Sequence, residues 1–247
     1  MFVGVGTLIN VLAILIGTFF GRFFGNRIKL RTRELLTDVL GAVTLIGAAS
    51  ALASLFEEDF LSSVPDGSPL LIVLGALILG GLIGSWLRIE DRLNSLGTKL
   101  KDLFATTKST ASNENFVTGF VTASLIFVIG PLAILGSISD GMSTGIDQLM
   151  LKSILDFFAS IAFAASLGWG VAFSAIPVGI YQGIWTFVGF VLGSVLDDYQ
   201  VEAMTATGGV LLLGIALKLL RIREIAIGDL LPALAVAPFL ALLASNI

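Results

Sequence analysis

Apolar runs of about 20 residues, the length needed to cross a bilayer core, alternate along the chain with short polar connections. They cover 3–24, 36–56, 69–87, 116–138, 149–172, 175–196, 203–220 and 229–246. The pattern predicts about eight transmembrane helices in one all-α, polytopic membrane domain over residues 1–247. The boundary between the fifth and sixth runs rests on Gly168-Trp169-Gly170 and Pro177, because no charge lies between Asp156 and Asp197. Two full spans fit that length, and a re-entrant segment is the alternative.

One polar connection has its own period. Trp86, Ile89, Leu93, Leu96, Leu100 and Leu103 recur at steps of three and four, with Arg92, Lys99 and Lys101 between them. This predicts an amphipathic helix over 86–104, followed by a flexible Ser/Thr/Asn-rich linker over 106–115. Such a helix lies on the membrane surface with its basic side toward anionic lipid, or forms a dimerising seam in a homodimer.

Composition makes the membrane reading firm. Apolar residues are 56% of the chain and charged residues only 13%, half the usual charged share of a soluble protein. Mean hydropathy is +1.00. There is no Cys and no His, which excludes disulfides, thiol nucleophiles, histidine-based triads and the usual nitrogen or sulfur metal sites. No phosphate-binding loop, hydrolytic signature or nucleic-acid patch appears. The sequence therefore predicts no enzyme, no catalytic residue, no cofactor, no metal and no nucleic-acid partner. Gly4-Val5-Gly6 has the form of a dinucleotide-fingerprint start, but no strand precedes it and the third glycine is missing.

The few charges orient the chain. Arg22, Arg27, Lys29, Arg31 and Arg33 follow the first run; Arg88, Arg92, Lys99, Lys101 and Lys108 follow the third; Lys218, Arg221 and Arg223 follow the seventh. These are all but one of the 14 Lys and Arg. The alternate connections carry Glu57, Glu58, Asp59, Asp66, Asp140, Asp147, Asp197, Asp198 and Glu202 and no base. By the positive-inside rule the basic loops are cytoplasmic and both termini lie outside. The first run lacks the basic start of a cleavable signal peptide and is expected to remain as a span.

Two parts of the chain resemble each other. Gly41, Val43, Leu45 and Gly47 align with Gly208, Val210, Leu212 and Gly214; Asn10, Gly17 and Gly21 align with Gln182, Gly189 and Gly193. Asp66 and Pro69 likewise align with Asp229 and Pro232. Spans 1–3 thus correspond to spans 6–8, with opposite orientation, around two central helices. Such inverted repeats build many secondary transporters. The alternative is that both stretches are glycine-rich packing ridges that resemble each other by composition.

Candidate binding residues are polar groups inside these runs. Lys152 is the one base outside the cytoplasmic loops, and Asp156 stands four residues on, so the two share a helix face and can pair. A charged pair inside a span is a coupling-ion site or a structural bridge with Lys152 reaching toward headgroups. Gly130-Pro131 breaks the fourth span, and Ser137 and Asp140 beyond it are candidates to line a vestibule. Asn10 and Gln182, paired by the repeat, and Tyr181 beside Gln182 complete the set.

Several segments also occur together in a known group. They are Gly6-Thr7-Leu8-Ile9-Asn10, Phe120 through Gly130-Pro131 to Asp140-Gly141, Leu151-Lys152-Ser153-Ile154-Leu155-Asp156, Gly170 to Pro177 with Tyr181-Gln182-Gly183, Thr207-Gly208-Gly209 and Leu230-Leu231-Pro232-Ala233. The chain resembles, over essentially its full length, the YqgA/YdfK-type bacterial inner-membrane proteins, a family of unknown function. The resemblance implies a multi-pass protein of the bacterial inner membrane and brings no substrate with it. Taken together, these readings point to a secondary transporter or permease for a monovalent cation or small polar solute. A non-transporting membrane scaffold is the alternative.

Overall fold

The computed structural model describes residues 2–25, 30–104, 110–129, 131–192 and 196–246. Every regular element among them is helical: α1 Val5–Gly25, α2 Leu30–Leu52, α3 Glu58–Ser63, α4 Ser68–Leu87, α5 Ile89–Phe104, α6 Thr110–Val128, α7 Pro131–Gly141, α8 Asp147–Leu167, α9 Gly170–Phe173, α10 Ala175–Leu192, α11 Asp198–Leu219, α12 Ile227–Leu230 and α13 Ala233–Ala244. A 3₁₀ turn, Ala53–Phe56, continues α2.

Among the described residues seven helices are long and apolar enough to cross a membrane, and eight if the bent pair α6–α7 is one span. The two halves of that pair stand 63° apart, and α7 begins at Pro131, where a proline cannot continue the preceding helix. Gly130 lies outside the described residues. The fifth and sixth apolar runs resolve into separate spans, Asp147–Leu167 and Gly170–Val191, joined through Gly168 in the left-handed region (φ +90°). The linker expected over 106–115 lies outside the described residues from 105 to 109, and the chain is helical from Thr110 onward.

The contacts divide the chain into two compact units, Met1–Leu40 with Leu93–Val195 and Gly41–Arg92 with Leu196–Ile247. Each unit takes helices from both predicted triplets. Spans one and six share the first unit with the central spans four and five, while spans two, three, seven and eight form the second.

In the first unit the most extensive pairing is α1 with α8. The helices run parallel: Gly6 lies against Leu149, Gly17 against Phe157 and Ser160, and Gly21 against Ile161 and Ala164. The Gly17-x-x-x-Gly21 ridge therefore brings α1 onto the α8 backbone, the arrangement small residues allow in membranes. α10 packs antiparallel on α1, with Thr7 beside Thr186 and Val11 beside Gly179. It meets α7 where Gly189 lies against Ile138 and Gly141 against Thr186. α8 turns Ile154, Leu155 and Phe158 outward and Leu149, Lys152, Asp156 and Ser160 inward. Its outer face is the apolar one, as lipid requires.

The second unit is built on antiparallel pairs. Gly41 of α2 lies against Leu219 and Leu220, and Gly209 of α11 against Ala48 and Leu52. Along α4 and the α12–α13 segment, Gly75 meets Leu240, Gly80 meets Ala233 and Gly84 meets Asp229. Phe60, Ile72, Ala76, Ala203, Ala233 and Ala237 form its core. Where α4 passes into α5 the Glu90 carboxylate accepts from Gly228 N–H at 2.7 Å and from Lys218 at 3.3 Å, and Glu90 N–H donates to Asp229 at 2.9 Å. These bonds satisfy amides at the starts of α5 and α12 that no helical partner would reach.

Candidate functional site: a buried Lys–Asp–Asn cluster in the first unit

Helical spacing places Lys152 and Asp156 one turn apart on the inward face of α8. Lys152 Nζ donates to Asp156 Oδ2 at 2.7 Å, and both side chains are about nine-tenths buried, at 8% exposure each. Asp156 is the tenth residue of a 21-residue helix. At a rise of about 1.5 Å per residue it sits roughly halfway along the span. The second bond to Asp156 comes from α1: Asn10 Nδ2 donates to the same Oδ2 at 3.0 Å. The parallel packing of α1 on α8 makes this contact, through glycines that let the helices close. Lys152 Nζ also stands 5.9 Å from the centre of the Phe127 ring on α6, within cation–π range.

Further polar groups lie on the same helices and on α10. Thr7, one turn before Asn10, has its hydroxyl 3.3 Å from that of Thr186, one turn beyond Gln182. Because α1 and α10 are antiparallel, Asn10 and Gln182 occupy the next level together. Both are fully buried. Asn10 Oδ1 and both amide atoms of Gln182 have no hydrogen-bond partner among the described residues, and the same holds for Thr18 Oγ1 and Ser160 Oγ. Gly17 lies against Ser160, so Thr18 and Ser160 share a level beyond Asp156. Orphaned buried polar atoms each cost about 1–3 kcal/mol, and native structures keep few of them. Here all of them belong to α1, α8 and α10 of one unit. The two threonines also line a pocket of about 260 Å³ with Gly4, Gly183, Phe187 and Phe190, the two phenylalanines being exposed on the outer face of α10.

The remaining predicted residues do other work. Asp140, at the end of α7, accepts from Gly6 N–H at 2.9 Å and from Gly4 N–H at 3.3 Å. Its carboxylate thus caps α1, where both the free amides and the helix dipole favour an anion. Gly4 has φ +91°, and a Cβ on Gly6 would stand 2.6 Å from Leu149 Cδ1, so both glycines serve this approach. Asp140 also lines a smaller pocket of about 170 Å³ with Ser143 and Thr144. Ser137 is fully buried and turns its hydroxyl back to Ala133 C=O at 2.6 Å. Tyr181 stacks edge-on with Trp185, centroids 6.4 Å apart. Pro131 starts α7. The structure thus gathers Asn10, Lys152 and Asp156 into one contact, sets Gln182 at their level, and assigns Asp140 and Ser137 to bonds within and between helices. Thr7, Thr186, Thr18 and Ser160 are additions. Their spacing of three, four or eight from Asn10, Gln182 and Asp156 was the signal for them.

Asp140→Ala is expected to lower stability by about 1–3 kcal/mol, since two amides lose a charged acceptor. It should also speed hydrogen exchange at Gly6 while leaving the α8 amides protected. Unchanged exchange at Gly6 would remove the cap from this account.

Comparison with known proteins agrees with the fold. The profile of the family described as "Protein of unknown function (DUF554)" matches residues 5–242. The uncharacterized membrane protein YdfK of Bacillus subtilis (strain 168) is 28% identical over 233 residues, covering 94% of this chain and 93% of the relative. The uncharacterized protein YqgA of Escherichia coli (strain K12) is 29% identical over 233 residues, covering 94% of each. No solved structure matches.

Proposed function

We propose that this chain, which belongs to the DUF554 family of proteins of unknown function, is a secondary transporter or permease. It moves a small ion or polar solute across the bacterial inner membrane. The observation that carries the reading is the Asp156–Lys152–Asn10 contact halfway along α8, in a unit where the fully buried amide of Gln182 has no partner among the described residues. An ion pair that served only to join helices would have its neighbouring polar atoms satisfied, because each orphan in an apolar span destabilises the fold. A site whose ligand comes and goes leaves them unmet.

Three further features support it. The pairs α1 with α10, α2 with α11 and α4 with α12–α13 each pack a span on the one the sequence aligns with it, which is compatible with an inverted-topology repeat, and such repeats place substrate sites near the midplane. A pocket of about 260 Å³ lies against Thr7 and Thr186, one helical turn from Asn10 and Gln182. The Gly17/Gly21 and Gly80/Gly84 ridges, which a scaffold would offer to partner helices, are spent inside their own units. By the positive-inside rule the basic loops are expected in the cytoplasm, with the N-terminal end of α1 outside.

A thermal-shift panel of alkali chlorides, ammonium, amino acids and sugars tests the proposal on the purified protein. A ligand at a hundredfold excess over its Kd stabilises the folded state by about 2.7 kcal/mol. At least one member should raise the Tm of the wild type by several degrees, and the same member should leave Asp156→Asn unmoved. A panel without any response would favour the scaffold.

A further inference from the structure

We infer that the second unit binds the headgroup of an anionic phospholipid at the end where α4 and α11 stop. Arg88, Arg92, Arg221 and Arg223 are the charged contacts, and Trp86 and Ile222 the apolar ones. The site does not depend on the transporter reading. α4 ends at Leu87 and α11 at Leu219. The Glu90 carboxylate accepts from Gly228 N–H at 2.7 Å and from Lys218 at 3.3 Å, which ties the joint between α4 and α5 to the joint between α11 and α12. Arg88 stands two residues before one end of this clasp, and Arg221 three residues after the other.

The acids and bases at this end are used differently. Glu90 is engaged as above, Asp229 accepts from Glu90 N–H at 2.9 Å, and Glu224 stands 3.6 Å from Lys218. The four arginines are exposed, and none of their side chains has a hydrogen bond or an ion pair among the described residues. Asp91 is the one acid beside them that is equally uncommitted. Four free guanidinium groups against one free carboxylate are complementary to an anion from outside the chain.

The backbone adds a second observation. Arg88 and Arg221 both stand in the left-handed region, at φ +51° and +59°. Each follows a helix C-terminus, where glycine takes this conformation without strain and a residue with a Cβ does not. An arginine can serve such an end by donating to the last carbonyls, but neither side chain does. Orienting the chain in the membrane asks for positive charge alone, which lysine in ordinary backbone supplies. A guanidinium adds a planar fork that grips two phosphate oxygens at once.

The apolar neighbours decide between a lipid and a free phosphate. Trp86 is 83% exposed and Ile222 67%. An indole beside exposed arginines is the pattern of a membrane interface, where the ring sits at headgroup level. A soluble anion has no use for either side chain, whereas a phospholipid covers both.

Thermal unfolding and native mass spectrometry of the purified full chain in detergent test this. Phosphatidylglycerol is added, against phosphatidylcholine with the same acyl chains and against inorganic phosphate. Phosphatidylglycerol should raise the Tm by several degrees and stay bound in the mass spectrum, and the other two should do neither. In Arg221→Gln/Arg223→Gln its affinity should fall about 25-fold, roughly fivefold for each charge removed. Lys99→Gln, which removes an exposed base elsewhere on α5, should keep the wild-type affinity. Arg88→Gly/Arg221→Gly guards against a folding defect, because glycine relieves both left-handed positions. That variant should start with a Tm at or above the wild type and gain nothing from phosphatidylglycerol. Equal stabilisation by phosphatidylcholine or by phosphate would overturn the inference. So would a wild-type response to phosphatidylglycerol in the glycine variant, or a loss in Lys99→Gln as large as in the double glutamine variant.

Discussion

Lys152→Met is expected to destabilise the protein by about 3–5 kcal/mol, because it leaves Asp156 buried with Asn10 as its remaining partner. A charge stranded in a low-dielectric interior is costly, whereas a pair removed together is not. The double variant Lys152→Met/Asp156→Leu should therefore recover most of the loss and unfold within about 1 kcal/mol of the wild type, or above it. Unfolding in one detergent across wild type, both single variants and the double variant gives the coupling energy directly. A single variant as stable as the wild type would mean that Asp156 is not held by Lys152. The cycle also prepares a chain that is folded but lacks the site, which separates a structural pair from a binding one.

Gly21→Leu is the second large effect. A Cβ at Gly21 would fall on the Ile161 carbonyl and stand 2.9 Å from Ala164 Cβ. The first obstacle is backbone, which cannot swing aside as a side chain can, so α1 and α8 must separate. Overpacking of this kind costs about 3 kcal/mol or more when nothing nearby relaxes. Separation would also draw Asn10 away from Asp156, so ligand response should fall together with stability. Gly47→Ala in α2 is the control: nothing stands within 4 Å of its Cβ position. That change should be neutral or stabilise the helix by up to about 1 kcal/mol. Equal behaviour of the two variants would contradict the close pairing of α1 on α8.

The spans were legible in the sequence because bilayer thickness fixes the length of an apolar run, and proline and glycine mark breaks at Pro131 and Gly168. Lys152 and Asp156 were legible as a pair because α-helical periodicity is local. What joined them was not. Asn10 is 146 residues from Asp156, and its only sequence signal was its alignment with Gln182, which describes a repeat and not a contact. Asp140 shows the same limit. As an acid after a broken span it was open to a vestibule role, and its bond to Gly6 lies 134 residues away. Gly4-Val5-Gly6, dismissed as a nucleotide motif, turned out to need its glycines for that bond. The grouping of helices was hidden for a related reason. Glycine ridges reveal that a helix packs closely but not on which neighbour, so spans one and six gave no sign that they share a unit with spans four and five.

The most direct test of the central claim, that the Asp156 cluster binds a transported ligand, is flux in reconstituted liposomes. The ligand that stabilises the wild type should equilibrate across the membrane with the wild-type protein, and should cross no faster with Lys152→Met/Asp156→Leu than in protein-free liposomes. Equal flux through the wild type and the double variant would contradict the account, and so would a wild type no faster than bare lipid.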